Sequence, residues 1–188
     1  MNPKLHSIFT STRAQRAGGP VATWFVEQAK QHGKFEIQLV DLKEVNLPLL
    51  DEPHHPMQRR YQNEHTRAWS KTIDAADAFV FIVPEYNFGM PPSLLNALDY
   101  LFFEWNYKPA GFVSYGGLSG GIRSVQMTKQ MLNTLKVVPL NESVSFPFFS
   151  KQIDAEGKLI PGDAPQKALI TMLDELLRWT TALRTLRS

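Results

Sequence analysis

Ala78-Phe79-Val80-Phe81-Ile82-Val83 is an apolar run with no polar alternation, and it constrains the fold more than any other segment. A strand with one wet face alternates, whereas a strand covered on both faces reads as continuous. Even extended to Pro84 the run falls far short of the ~20 residues that span a bilayer. It therefore predicts a central strand with helices on both sides.

The flanking segments agree. Leu5–Phe9 reads as a first strand, and Val21–Ala29 carries apolar residues at helical spacing, stopping near Gly33. Phe35–Val40 alternates and ends at Asp41, as a strand nearer the sheet edge does. Residues 41–58, rich in Pro, Asp and His, predict a long loop, and a polar helix follows over 60–76. Pro92–Glu104 reads as a helix with Pro91-Pro92 in its first turn, and Ala110–Tyr115 as a fourth strand. The next helix opens at Ser119 or Ser124 and runs to about Leu135, before a fifth strand over Lys136–Leu140. Asp163 is the expected N-cap of a last helix reaching about Thr185, with Leu169, Met172, Leu173, Leu176 and Leu177 on its apolar face. Five strands alternating with five helices predict a doubly wound α/β sheet, built as one domain over residues 1–188.

Composition narrows the chemistry. With 20 Lys+Arg against 18 Asp+Glu the net charge is 20 − 18 = +2, and the cations are scattered, so neither a nucleic-acid patch nor a polybasic membrane anchor is expected. No cysteine is present, which removes disulfides, thiolate metal sites, iron–sulfur clusters and cysteine nucleophiles. The first residues lack the apolar core of a signal peptide, so the expectation is a cytoplasmic protein with no membrane partner. His54-His55 beside Asp51 and Glu52 do not complete a metal-ligand set.

In such a sheet ligands lie beyond the carboxyl ends of the strands. Three unusual loops fall there. Thr10-Ser11-Thr12-Arg13-Ala14-Gln15-Arg16 brings three hydroxyls and two guanidiniums before a helix N-terminus, which suits a phosphate monoester; a helix cap with solvated arginines reads the same way. Pro84-Glu85-Tyr86-Asn87-Phe88-Gly89 follows the central strand, and its amides and Tyr86 suit a flat heteroaromatic ring or, equally, a plain turn. Ser114-Tyr115-Gly116-Gly117-Leu118-Ser119-Gly120-Gly121 allows close backbone approach to a ligand, or a tight turn. Neither a P-loop nor the G-x-G-x-x-G dinucleotide pattern occurs.

Taken together, Ser11-Thr12-Arg13 with Arg16, Pro84-Glu85-Tyr86-Asn87 followed by Leu95-Asn96-Ala97-Leu98-Asp99, and Ser114-Tyr115-Gly116-Gly117 with Ser119-Gly120-Gly121 resemble the NADPH-dependent FMN reductases, a flavodoxin-like group that includes quinone, azo-dye and chromate reductases. The resemblance covers about residues 4–180 and implies a flavodoxin-like five-stranded parallel sheet of order 2-1-3-4-5, noncovalent FMN, NAD(P)H as donor, a small-molecule electron acceptor, and a homodimer or homotetramer. It implies that Ser11, Thr12, Arg13 and Arg16 serve the FMN phosphate. Pro84, Glu85, Tyr86 and Asn87 then border the isoalloxazine, and Ser114, Gly116 and Gly117 line its other side. The chain departs from the family pattern at Thr10, where Gly is usual, and at Ala14-Gln15, where Pro-Gly is common. Thr10 disfavours positive φ, which predicts a reshaped phosphate loop.

Flavin carries the redox chemistry, so no catalytic triad, metal or general acid is expected. The implied reaction moves electrons from NAD(P)H through FMN to quinones or similar acceptors by ping-pong turnover, with backbone donors at Asn87 and Phe88 stabilising charge on the ring. A flavodoxin-like electron carrier or an FMN-binding sensor without useful turnover is the alternative; carriers usually dock through acidic surfaces, which a net charge of +2 does not supply. The aromatic stretch Tyr100–Trp105 suits a protomer interface and core packing equally, and Trp105 at an interface could reach a partner's flavin.

Overall fold

The computed structural model describes residues 2–187. In chain order its main elements are β1 Lys4–Phe9, α1 Gly19–His32, β2 Glu36–Asp41, α2 Leu42–Val45, α3 Glu64–Asp74, β3 Ala78–Pro84, α4 Pro92–Asp99, β4 Pro109–Tyr115, α5 Ile122–Thr134, β5 Val138–Phe146 and α6 Asp163–Leu183. The five strands form one parallel sheet in the order β2-β1-β3-β4-β5, as the sequence implied. Every residue of β3 and β4 is buried, which explains their continuous apolar runs. Among the described residues, no helix is long and apolar enough to cross a membrane.

Two cores sandwich the sheet. Leu5, Phe9, Val80 and Ile82 pack with α1 and α6 on one face. Ile8, Phe79, Phe81 and Phe112 pack with α3, α4 and α5 on the other. The alternation along β1 and β3 sends successive side chains to opposite cores, so a slip of one residue would exchange them. Gly33, at φ 77°, ends α1 as read.

Several boundaries differ from the sequence reading. The fifth strand is Val138–Phe146, beginning two residues later than expected and running well past Leu140; the register shift between Ala110 and Phe112 lets Ser143–Phe146 pair with Phe112–Tyr115. The helix expected over 92–104 stops at Asp99, and a separate 3-10 turn covers Phe103–Trp105. The polar helix is the shorter Glu64–Asp74, while residues 41–58 contain α2 and a 3-10 turn at Pro56–Gln58. Asp163 is the first helical residue rather than the cap, which is Gly162, and α5 starts at Ile122 after Gly121, so neither Ser119 nor Ser124 caps it.

Trp105 settles into the core. It has no exposed surface and meets Trp69, Phe79 and Phe81 at ring separations of 6.0, 5.0 and 6.4 Å. It lies just before β4, at the amino edge of the sheet, and is not the interface residue entertained from sequence. Trp105→Ala is expected to cost about 3–5 kcal/mol of stability in urea titration, the usual range for emptying a buried Trp site.

On β1, His6 shares the face of Ile8 and is fully buried, with no hydrogen bond at either ring nitrogen. Burial, reinforced by Lys108 and Lys4, lowers its pKa to about 4. Its unfolded pKa is near 6.5, so the unfolded chain takes up the proton first as pH falls. The stability held by neutral His6 is therefore present above pH ~6.5 and is lost on the way down to about 4. Unfolding free energy is expected to drop by about 2 kcal/mol between pH 7 and 5, and His6→Leu is expected to flatten that segment of the profile.

Candidate functional site

The three loops singled out from sequence meet beyond the carboxyl ends of β1, β3 and β4. They wall a cavity of about 270 Å³ with Ser11, Arg13, Arg16, Pro84, Glu85, Tyr86, Gly116 and Gly117 in its lining. This is the switch point of a 2-1-3-4-5 sheet, where helices leave to opposite faces.

The first loop is anchored through Thr10. Its N–H and hydroxyl both donate to the Ile82 carbonyl, at 3.1 and 2.9 Å, and its own carbonyl accepts from Ser93 Oγ at 2.5 Å. The residue needs no positive φ. A threonine hydroxyl thus extends the β1–β3 connection by one bond that glycine could not make.

The two arginines part company here. Arg16 forms a bidentate pair with Asp41 at the end of β2, donates to the Ser11 carbonyl at 2.8 Å, and lies 4.5 Å over the Phe9 ring. The Asp41 hydrogen bond raises its already high pKa. Its charge is spent on holding the loop. Arg13 is exposed and makes no hydrogen bond or ion pair among the described residues, so its donors are available to an anion.

Tyr115, at the end of β4, supplies the second free group. It is 4% exposed, and its hydroxyl has no partner that meets hydrogen-bond geometry, although Ser11 lies beside it. The Ser11 hydroxyl is instead 2.7 Å from Tyr86 Oη. Burial first, and then Tyr86, push the Tyr115 phenol well above its ordinary pKa, so it stays a neutral donor. Gly18 makes this placement feasible: a Cβ there would stand 2.1 Å from Tyr115 Oη. A buried donor without an acceptor inside a cavity is costly unless a ligand or water completes it.

The second loop is a tight turn. Tyr86 and Gly89 exchange both backbone hydrogen bonds, at 3.0 and 2.9 Å, around Asn87 (φ 48°) and Phe88 (φ 68°). Positive φ at both central residues defines a type I′ turn, which strains a bulky residue such as Phe88. The N–H groups of Asn87 and Phe88 are left without a protein acceptor.

Glu85 joins this turn to the third loop. Its carboxylate accepts from Ser119 Oγ at 2.7 Å and from the Arg123 N–H and Nη1 at 3.1 and 2.7 Å, at the N-terminus of α5. Burial alone would raise its pKa, but these bonds outweigh it and hold the carboxyl below the usual range. The ionised group is a clamp between loops. Arg123 also stacks 4.1 Å over Phe88, extending the clamp to the strained turn.

Thr12, Asn87 and Ser114 lie outside this cavity. Thr12 turns to a neighbouring cavity against α2 and α4, Asn87 is exposed at the turn's tip, and Ser114 is buried within β4. Residues not foreseen are Ala17, Tyr115, Phe148, Phe149 and Ser150. The last three follow β5 and reach the site because that strand continues to Phe146; the alternation of Ser143, Val144, Ser145 and Phe146 carried the signal. Phe148 N–H donates to the Gly117 carbonyl at 2.9 Å and Gly116 N–H to the Phe146 carbonyl at 3.3 Å, tying this segment to the glycine loop. His54 and His55 serve the chain itself, touching Gln62 and capping Met57 N–H, and among the described residues no three His, Asp or Glu side chains gather as metal ligands.

The free Arg13 guanidinium, the partnerless Tyr115 hydroxyl and the unbonded turn amides fit a ligand with an anionic end and a flat polar ring. FMN has both. The family model for NADPH-dependent FMN reductases matches residues 3–151. An NAD(P)H-dependent FMN reductase of Schizosaccharomyces pombe is 41% identical over 151 residues, covering 78% of this chain and 75% of that protein. An NAD(P)H:quinone oxidoreductase of Solanum tuberosum is 32% identical over 56% of this chain and 58% of its own length. Among solved structures, the flavoenzyme NAD(P)H:(acceptor) oxidoreductase FerB of Paracoccus denitrificans superposes with a TM-score of 0.74 at 18% identity, over 96% of this chain and 98% of that one, which shows a shared fold.

Tyr115→Phe removes a hydroxyl with no protein partner. The variant without ligand is expected to be at least as stable as the parent, with a rise of up to about 1–3 kcal/mol in a denaturant titration.

Proposed function

The chain belongs to the NADPH-dependent FMN reductase family, and we propose that it holds FMN in the cavity between Arg13 and the Tyr86 turn and passes electrons from NAD(P)H to quinones or similar small acceptors by ping-pong turnover. As a member of that family it is an NAD(P)H-dependent oxidoreductase. The observation that carries the residue assignment is the pairing, in one cavity, of an arginine with no internal partner and a buried tyrosine hydroxyl with none.

Arg13, the Ser11 and Tyr115 hydroxyls and the N-terminal end of α1 receive the phosphate end. Arg16 acts through Ser11, whose carbonyl it fixes. Pro84, Glu85 and Tyr86 form one wall of the ring site and Gly116 and Gly117 the other. When bound, FMN supplies hydride acceptance and electron delivery. The Asn87 and Phe88 amides offer preorganised donors to negative charge developing on the ring edge, and the Glu85 clamp keeps them in place. The similarity to the NAD(P)H:quinone oxidoreductase of Solanum tuberosum supports quinones as acceptors. One FMN-binding domain over residues 1–188, working as a cytoplasmic homodimer or homotetramer, completes the reading.

The visible spectrum tests it. Protein loaded with FMN is expected to bleach with NADPH under anaerobic conditions and to recover on adding a quinone; a spectrum unmoved by NADPH and NADH would overturn the proposal. Arg13→Ala is expected to weaken FMN binding by ~1.5–3 kcal/mol, roughly ten- to more than a hundredfold in Kd. Undiminished affinity in fluorescence titration would place the phosphate elsewhere.

A further inference from the structure

The Tyr86–Gly89 turn is steadied from outside the cavity. Asn87 and Phe88 both have positive φ, at 48° and 68°, a conformation that asparagine accepts and phenylalanine resists. Phe88 is also 69% exposed, so burial of its ring does not offset the strain. The steadying contacts come from α5. The Arg123 guanidinium lies 4.1 Å over the Phe88 ring, while its Nη1 and its backbone N–H donate to the Glu85 carboxylate at 2.7 and 3.1 Å. One turn along the same helix face, Met127 backs the loop: a Cβ at Gly89 would stand 3.2 Å from its Sδ. Arg123 itself does not line the cavity, whereas Glu85 and Tyr86 do.

The unbonded Asn87 and Phe88 amides favour whichever form of a ligand carries more negative charge. The hydride that NAD(P)H gives up carries two electrons and one proton, so a reduced flavin ring has one negative charge more than an oxidised one until a further proton arrives. The ionised Glu85 in the same wall works in the opposite sense. Among the described residues Arg123 is the only cation within ion-pair distance of Glu85. One planar group thus both stacks on the strained turn and pairs with the carboxylate beneath it, which a point charge on a flexible stem does not do at once.

We propose that Arg123 is a positioning residue that sets the balance between oxidised and reduced cofactor, by holding the Asn87–Phe88 amides through its stack on Phe88 while it offsets the Glu85 charge. The inference rests on the reading that this cavity holds FMN. The test is the midpoint potential of bound FMN, equilibrated against a reference dye, beside a fluorescence titration of oxidised FMN. Arg123→Gln is expected to weaken reduced FMN at least about tenfold more than oxidised FMN, lowering the potential by about 30 mV for a two-electron couple. The Kd of oxidised FMN is expected to change no more than about threefold, since Arg13 still holds its phosphate end. Arg123→Lys keeps the charge without the stack and is expected to fall between parent and Arg123→Gln. Phe88→Leu is expected to lower the potential in the parent but not in the Arg123→Gln background. In flavin-free protein, exchange of the Tyr86 and Gly89 amide hydrogens, which bond across the turn, is expected to quicken about tenfold or more in Arg123→Gln. An unshifted potential, full retention of the parent potential by Arg123→Lys, or unchanged amide exchange would overturn the role of Arg123. Failure of wild-type protein to bind FMN would instead overturn the reductase reading itself.

Discussion

Burial of β3 and β4 on both faces is the constraint from which the rest follows. Neither strand has a wet side, so no polar side chain along them reaches a ligand except Tyr115 at the last position of β4, and chemistry is displaced to the edge where the strands end. At the carboxyl edge the chain turns from buried strand to polar loop within a residue or two. The helices that follow diverge to opposite faces because β1 sits between β2 and β3. The gap they leave is the cavity, and its walls are rigid because each loop starts from a strand that cannot shift without disturbing two cores.

Within that gap the loops are held by one another. Glu85 reaches from the β3 turn to the start of α5, Ser93 from α4 to Thr10, and Phe148 from beyond β5 to Gly117. Each of these groups is satisfied by the protein. Arg13, Tyr115 Oη and the Asn87 and Phe88 amides are not, and the contrast between committed and uncommitted polar groups separates scaffold from binding surface more sharply than residue type does.

The sequence made the sheet legible because periodicity reports burial, and the two central strands are the most buried. It was less informative where a strand passes from two-sided to one-sided cover. Val138–Phe146 carries Asn141 and Glu142 in mid-strand, so it reads as ending at Leu140, and the site wall contributed by Phe148–Ser150 is lost with it. Trp105 was ambiguous for a different reason: a run of aromatics has no direction until its neighbours are known. Arg13 and Arg16 are chemically identical three residues apart, and only the position of Asp41 distinguishes them. Tyr115 was visible in the motif, but its hydroxyl became informative only when the fold left it unpartnered.

The neutralisation of Arg16 has a consequence for ionic strength. On the proposed assignment, a phosphate dianion entering the first cavity would meet one uncompensated side-chain cation, because the other guanidinium is already paired with Asp41. Attraction between so few net charges, placed at an exposed rim, is modest and partly screened at physiological salt. Retention of the anion then depends chiefly on directed hydrogen bonds from short, rigid donors. Affinity of that kind changes shallowly with added salt and steeply with geometry, so exchange at a site of the proposed kind would be governed by how well the loops stay clamped.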